Sequence, residues 1–283
     1  MWLRDSMFIS RNPQGHTRLH GLIVNITRLK QAEAELRRAN QQLAGQTEEH
    51  RRHLEETVQS METFCYGMAH ELRAPVRAMQ GFSELLLQNP AAPAKEDYLR
   101  RIAASAIRLD ALISDLLAYG RLHHAELLVV PTVVSAVVDR AVDALSSEIS
   151  QSSAIIQVVP TNARVIAHPM LLAQALQNLI ANALKFVPPG IRPRVEVNAR
   201  TMDRQTVRIS VCDNGIGVSF DARDRIFGIF QRGQAQHEYP GTGIGLAMVK
   251  RIVELLNGRI GVDALPQHGS CFWIELPKAP PAA

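Results

Sequence analysis

Cysteine is scarce in this sequence of 283 residues. Only Cys65, Cys212 and Cys271 occur; they form no CxxC pair and leave an odd count. That argues against a disulfide framework or a zinc site and for a reducing compartment, so a cytoplasmic location is expected. Long apolar runs are missing too. The longest are a few residues, such as Leu127–Val130, whereas a membrane-spanning helix needs about 20. The opening Met1-Trp2-Leu3-Arg4-Asp5 does not read as a signal peptide. There is no excess of one charge. Residues 1–127 carry 16 Lys+Arg against 15 Asp+Glu, residues 128–283 carry 15 against 12, and the net charge is +4. Charge therefore implies no nucleic-acid partner. What is present is 46% apolar and 20% charged residues, the balance of a protein with a packed core. At roughly 100–200 residues per domain the length accommodates about two domains and a connector.

Residues 2–10 and 16–25 read as two strands around the turn Asn12-Pro13-Gln14-Gly15. A lone hairpin is marginal in water, so it is expected to end a domain or to borrow a partner surface. A helical stretch without Pro follows from Thr27 to Ala74. Six basic and six acidic side chains alternate over residues 28–57, which suits a solvated helix pair. Leu29, Leu36 and Leu43 are seven apart, a short heptad run. After a weak stretch the seam resumes at Leu54, Val58, Met61, Cys65, Met68, Leu72, Val76 and Met79. Two successive four-residue steps there form a stutter. A stripe this narrow favours a parallel helix dimer, although a long helix in a monomer shows some of the same pattern. Residues 89–95 break the helix. A second helix then carries Ile102, Ala106, Leu109, Ile113 and Leu116 at matching spacing. Two such hairpins make a four-helix bundle. From about Leu128 the pattern becomes mixed α/β. Helices are expected at Val133–Ser147, Pro169–Phe186 and Ile244–Leu256. Strands are expected at Ile155–Val159, Val165–Ala167, Arg194–Thr201, Thr206–Asp213, Arg259–Ala264 and Ser270–Leu276. Pro277–Ala283 reads as an unstructured tail.

Four motifs carry chemistry. In Phe64–Pro75, Met68 and Leu72 lie on the seam, so His70 points away from it as an available nucleophile. Glu71 is placed to orient the ring or take its proton. Pro75 removes a helix hydrogen bond just beyond. In the helix over Gln174–Phe186, Leu172, Leu176, Leu179 and Ala183 form the apolar face and Gln174, Asn178, Asn182 and Lys185 the polar one. Amide oxygens suit Mg²⁺ beside nucleotide phosphates, and Lys185 suits a phosphate. Asp213-Asn214-Gly215-Ile216-Gly217 ends a strand with an acceptor for a planar amine and two glycines that let a flat ligand approach. Gly241-Thr242-Gly243-Ile244-Gly245-Leu246 opens a helix whose free N–H groups suit phosphate. Each has a bland reading as well: a surface histidine, an amphipathic helix, a structural turn. The stretch Phe220–Tyr239 between the glycine motifs is long enough for a lid.

Taken together and in this order, the motifs resemble those of the sensor histidine kinases of two-component signalling. His70-Glu71-Leu72-Arg73-Ala74-Pro75 resembles the phosphoacceptor box, Asn178 through Phe186 the asparagine box, and Asp213–Gly217 the first glycine box. Phe227-Gly228-Ile229-Phe230-Gln231-Arg232 resembles the phenylalanine box and Gly241–Leu246 the second glycine box. Asn25-Ile26-Thr27 followed by Lys30-Gln31-Ala32-Glu33 resembles the end of a PAS sensory domain, with Asn25 where Asp is usual. The resemblance implies an α + α/β protein: a dimeric antiparallel helical hairpin, forming a four-helix bundle, followed by an α/β sandwich of the gyrase-type (GHKL, or Bergerat) ATP-binding class. It divides the chain into a PAS C-terminal strand remnant (1–27), a coiled-coil signalling helix (28–57), a dimerisation and phosphotransfer region (58–125), a catalytic ATP-binding domain (128–277) and a disordered tail (278–283).

It also implies roles. ATP and Mg²⁺ are the expected cofactors. Asp213 would read the adenine amine, with Gly215 and Gly217 beneath the base and Phe186 lining its pocket. Asn182 would hold Mg²⁺, with Asn178 beside it. Lys185 and the turn of Gly241, Thr242, Gly243, Gly245 and Leu246 would steady the phosphates, and Phe230 would serve the lid region from Val218 to Pro240. His70 would attack the γ-phosphate with Glu71 assisting. The phosphoryl group would pass to an aspartate on a response regulator receiver domain in another chain. A homodimer is expected, with no nucleic acid and no membrane span. Ala74 stands where many members have Thr or Asn, so weak or absent phosphatase action is expected. Leu256-Asn257-Gly258-Arg259 replaces a common Gly-Gly pair, and Asn257 is expected to preserve the helix stop in a left-handed conformation. Two alternatives stay open: another ATPase of the same fold, and a degenerate kinase acting as a dimeric scaffold. The length leaves no room for a complete sensor, which is expected upstream or in a partner.

Overall fold

The structure is a computed structural model. It describes residues 1–11, 13, 17–89, 94–122, 128–231, 239, 241–265 and 268–280, apart from some side chains of the second strand and of residues 33–64 in the first helix. The chain forms two compact units, Met1–Cys65 and Tyr66–Ala283.

In the first unit, β1 (Leu3–Arg11) and β2 (Thr17–Asn25) pair antiparallel from Leu3↔Asn25 to Arg11↔Thr17. Most of the expected turn lies outside the described residues. Met7, Phe8, Ile9, Leu19, Leu22 and Ile23 are all exposed, so the hairpin has no core of its own. The entry to α1 (Thr27–Gln88) is fixed by three hydrogen bonds. The Asn25 side-chain oxygen accepts from the Thr27 N–H at 3.0 Å, the Trp2 N–H donates to Thr27 Oγ1 at 2.8 Å, and the Ile26 N–H donates to the Trp2 carbonyl at 2.9 Å. Asn25 thus supplies the acceptor that Asp would. Along α1 the seam residues Leu29, Leu36, Leu43, Leu54, Val58 and Met61 are exposed in this single chain. The helix runs unbroken through Pro75 to Gln88.

The second unit begins with the last turns of α1 and with α2 (Lys95–Arg121). Phe82 stacks on Tyr98 at 5.7 Å, and Arg108 reaches Glu71 at 3.5 Å. These pairs run in opposite chain directions, so the helices are antiparallel. The buried stripe of α2 differs from the expected one. Leu112 is fully buried, and Ile102, Ser105, Leu109, Leu116 and Tyr119 are partly so, while Ala106 and Ile113 are exposed. One chain covers one side of the apolar seam. Ala106 and Ile113 lie on the other side, which periodicity alone does not separate.

The rest is a sheet with helices on one face. β4 (Ile155–Val158), β6 (Arg194–Thr201), β7 (Thr206–Asp213), β9 (Ser270–Pro277) and β8 (Arg259–Ala264) hydrogen-bond in that order. The β4–β6 pair is parallel and the others are antiparallel. A second ribbon joins β3 (Val130–Val133), which the sequence pattern did not reveal, to β5 (Arg164–Ala167). Alternation explains the sheet. Val207, Ile209 and Val211 of β7, with Phe272, Ile274 and Leu276 of β9, turn inward. They meet the helices α3 (Val134–Ala144), α5 (Pro169–Lys185) and α6 (Gly245–Leu255). The short α4 is Ser146–Ser152, so the expected single helix over Val133–Ser147 is two. Each fully buried Leu or Ile contributes roughly 1.5–3 kcal/mol relative to exposure.

Local signals behave as their chemistry requires. His168 caps α5, its Nδ1 accepting from the Leu171 N–H at 3.4 Å. Asn257 ends α6 at φ 55°, with Asn257 N–H donating to Glu254 O and Gly258 N–H to Val253 O, a Schellman arrangement.

Two expectations are corrected. The tail 278–283 is not loose in its described part. Ala279 is buried and donates to the Arg164 carbonyl at 2.9 Å, and Lys278 donates to the Gln205 carbonyl at 2.7 Å. The strand therefore zips on past Pro277. The argument against a disulfide also fails, because Cys212 and Cys271 are bonded across β7 and β9. The odd count concealed one pair and one free thiol, Cys65, and a separation of 59 residues hid the pairing. The His123-His124 pair lies outside the described residues. No helix among the described residues is long and apolar enough to cross a membrane.

Candidate functional site

Sheet alternation delivers Asp213 to the helix side of β7, where it is one of three buried polar side chains among the described residues. Its Oδ1 accepts from the Gly215 N–H at 2.8 Å and the Ser270 N–H at 3.3 Å. Burial pushes the carboxyl above the usual aspartate range, and these two donors partly offset that rise. The backbone then turns tightly. The Ile216 N–H donates to the Phe186 carbonyl at 2.9 Å, and any side chain at Gly215 would collide with that same oxygen. Glycine is therefore required sterically where the strand end meets the C-cap of α5. Asp213, Gly215 and Phe186, expected together, are together.

The polar face of α5 points toward the start of α6. Gln174 Nε2 lies 3.2 Å and Asn178 Nδ2 3.6 Å from the Met248 sulfur. A Cβ at Gly245 would stand 4.0 Å from Asn178. The N-cap of α6, Ile244, has no side-chain cap, so the first-turn N–H groups of that helix lack a side-chain acceptor beside the amides of α5. Lys185 sits against Gly241, where a side chain would strike its Nζ, and the same Nζ lies 4.6 Å from the Phe186 ring centre. An uncapped helix start, amide oxygens and one lysine ammonium form the donor set that a polyphosphate with a hard cation requires. Asn182 is half-buried on the same helix face and Leu246 is half-buried in the first turn of α6.

The lid region is described only in part, since Arg232 and its neighbours lie outside the described residues. Phe227 is buried and meets Phe272 edge-on at 6.3 Å, so it anchors this stretch to the core. Phe230 takes φ 59°, and its N–H donates to the Gly243 carbonyl at 3.0 Å. Its ring lies against Gly67, one helical turn before His70. Thr242 Oγ1 donates to Asp115 Oδ2 of α2 at 2.6 Å. His70 is exposed, as is Ala74. Glu71 is half-buried and paired with Arg108.

Sequence reasoning missed four participants. Ser270 holds Asp213. Tyr239 packs on Phe186 at 5.4 Å and donates to the Val187 carbonyl at 3.3 Å. Asp115 and Arg108 reach the motifs from α2. Only Gly269-Ser270, a glycine opening a strand, left a local trace; the others are ordinary residues made relevant by packing.

A helix hairpin with an exposed histidine, together with an α/β domain holding a buried aspartate before a glycine turn, defines a class, and comparison with known proteins agrees. The family described as "Histidine kinase-, DNA gyrase B-, and HSP90-like ATPase" matches residues 167–280. The "His Kinase A (phospho-acceptor) domain" family matches residues 60–125. The sensor histidine kinase AruS of Pseudomonas aeruginosa is 34% identical over 241 residues, covering 78% of this chain and 24% of AruS. Full-length ShkA in complex with AMPPNP is 32% identical with a TM-score of 0.54, covering 76% of this chain and 45% of ShkA. Histidine kinase ThkA in complex with the response regulator protein TrrA shares the fold at a TM-score of 0.63 and 20% identity, covering 99% of this chain and 76% of that one. The chain belongs to the sensor histidine kinases of two-component systems. It spans about a quarter of the length of the curated relatives it matches.

Proposed function

We propose that the chain is an ATP-dependent protein-histidine kinase that phosphorylates its own His70 and passes the phosphoryl group to an aspartate on a separate response regulator. The carrying observation is that one chain holds both halves of the reaction. His70 stands exposed on a helix with Glu71 beside it. The Asp213–Gly215–Phe186 corner adjoins the Lys185–Gly241 phosphate turn. Asp213 accepts the adenine amine, and Phe186 and Tyr239 border the base. Asn178 and Asn182 would hold Mg²⁺, which neutralises phosphate charge when bound. Lys185 and the N–H groups from Gly243 to Leu246 orient the γ-phosphate. A His70 ring nitrogen attacks phosphorus in line, ADP leaves, and Glu71 accepts the ring proton. Such a reaction is accelerated mainly by positioning and charge neutralisation.

The chain works as a homodimer, and its hairpin 1–27 is the end of a PAS-like sensory domain. Exposed Ile113 and Leu117 on α2 support the dimer, and the ThkA–TrrA complex supports a regulator partner. An ATP-consuming site of this kind operates in the cytoplasm. Ala74 has no hydrogen-bonding group, so purified protein should not speed loss of phosphate from the phosphorylated regulator.

Incubation with γ-labelled ATP and Mg²⁺ tests the reading. Acid-labile label should appear on the chain and vanish in His70→Gln and Asp213→Asn. Hydrolysis of ATP without labelled protein would instead indicate another ATPase of this fold, and no nucleotide binding a scaffold.

A further inference from the structure

We propose that Cys212 and Cys271 form a redox modification site that sets adenine-nucleotide affinity, the disulfide tightening the Asp213 site and the dithiol loosening it. The inference rests on the reading of Asp213 as the residue that accepts the adenine amine. Cys212 immediately precedes Asp213, and Cys271 immediately follows Ser270, whose N–H donates to Asp213 Oδ1. The cross-link therefore joins the two strands one residue from a hydrogen bond that holds the recognition carboxylate. The turn before Ser270 is packed just as closely. Gly269 takes φ 99°, and a side chain there would run into the Asp213 carbonyl. Tying β7 to β9 at this point fixes the spacing on which the Ser270 donor to Asp213 depends. A preorganised acceptor loses less freedom when the base binds.

The pair is also placed for exchange with solvent. Val211, Asp213, Ser270 and Phe272 face the helices, so by alternation Cys212 and Cys271 lie on the opposite sheet face, where both are only half-buried. The cross-strand row reads Glu196, Cys212, Cys271, Asp263 over four strands.

The step is a thiol–disulfide exchange with an oxidant of the glutathione-disulfide class. One cysteine thiolate attacks the oxidant and releases one thiol. The second cysteine then attacks the mixed disulfide and releases the other. The protein loses two electrons and two protons, and the oxidant becomes two thiols.

The test equilibrates the full chain, carrying Cys65→Ser, across ratios of reduced to oxidised glutathione. Peptide mass spectrometry reads the Cys212–Cys271 linkage, and calorimetry reads ADP affinity. We expect the linked peptide to appear as the ratio falls, with ADP bound about threefold or more tighter in that form. Cys212→Ser/Cys271→Ser should bind ADP with the reduced affinity at every ratio. Because the same redox titration is run without strand mutations, a folding defect in the double variant would not hide the effect. A pair that never links, or links with unchanged ADP affinity, overturns the switch and leaves the Asp213 reading intact. No ADP binding in either form overturns both.

Discussion

The α/β domain and the helical hairpin treat their apolar residues oppositely. The sheet and its three covering helices enclose Leu172, Leu176, Ile209, Ile252, Ile274 and Leu276 completely within one chain. The hairpin encloses Leu112 but leaves Leu87 at 80% and Ile107 at 72% exposure. A sheet with one face covered closes its own core, whereas two helices can cover only one side of a seam. The difference teaches that the α/β domain completes its core within one chain, while the helical hairpin keeps an apolar side that the proposed dimer would cover.

The strongest way to break this separation is His70→Gln. It should abolish acid-labile labelling while ADP affinity, read by calorimetry, stays unchanged; a parallel loss of ADP binding would mean that the two regions are not separable. Asp213→Asn is the reciprocal change. Its amide oxygen would keep the Gly215 and Ser270 N–H donors, which both go to one oxygen. Its amide nitrogen would take the place of the second carboxylate oxygen and meet the adenine amine donor to donor; that mismatch costs about 1–3 kcal/mol, roughly 10–100-fold in nucleotide affinity. Sedimentation of this variant should still show the dimer. In the core of the sheet, Leu276→Ala should cost about 2–5 kcal/mol in denaturant unfolding of the α/β domain. Ile113→Asp should shift the dimer toward monomer in sedimentation without altering ADP affinity.

Acidification supplies a gentler probe. Burial raises the Asp213 carboxyl above its ordinary value of about 3.9. In the proposed role the ionised form accepts the adenine amine, so ADP affinity should fall as pH drops through that raised value, above the range of an ordinary aspartate. Stability runs the other way. The raised pKa stabilises the fold fully below about pH 3.9, and this contribution is lost as pH rises through the folded value. A calorimetric pH series should show the affinity loss in the parent chain and a flat response in Asp213→Asn.

Much of this was legible in the residues. Period-two alternation located β6, β7 and β8 to the residue. The opposed faces of α5 were readable because a helix repeats every 3.6 residues, and Asn257 marked its turn because few side chains tolerate positive φ. β3 was missed because Val130–Val133 contains Pro131 and is stabilised only by its pairing with β5. The choice of Leu112 over Ile113 depends on which helix lies opposite, which spacing within one helix does not encode.

The sequence by itself therefore determined most of the elements, the order of the motifs and the chemistry each could perform, since periodicity and side-chain type are local. Tertiary structure decided which residues from distant segments share a site. It set Ser270 against Asp213, Tyr239 against Phe186, Asp115 against Thr242 and Cys212 against Cys271. Those pairings follow from strand register and helix packing, where the free energy belongs to the assembled core and not to any segment alone.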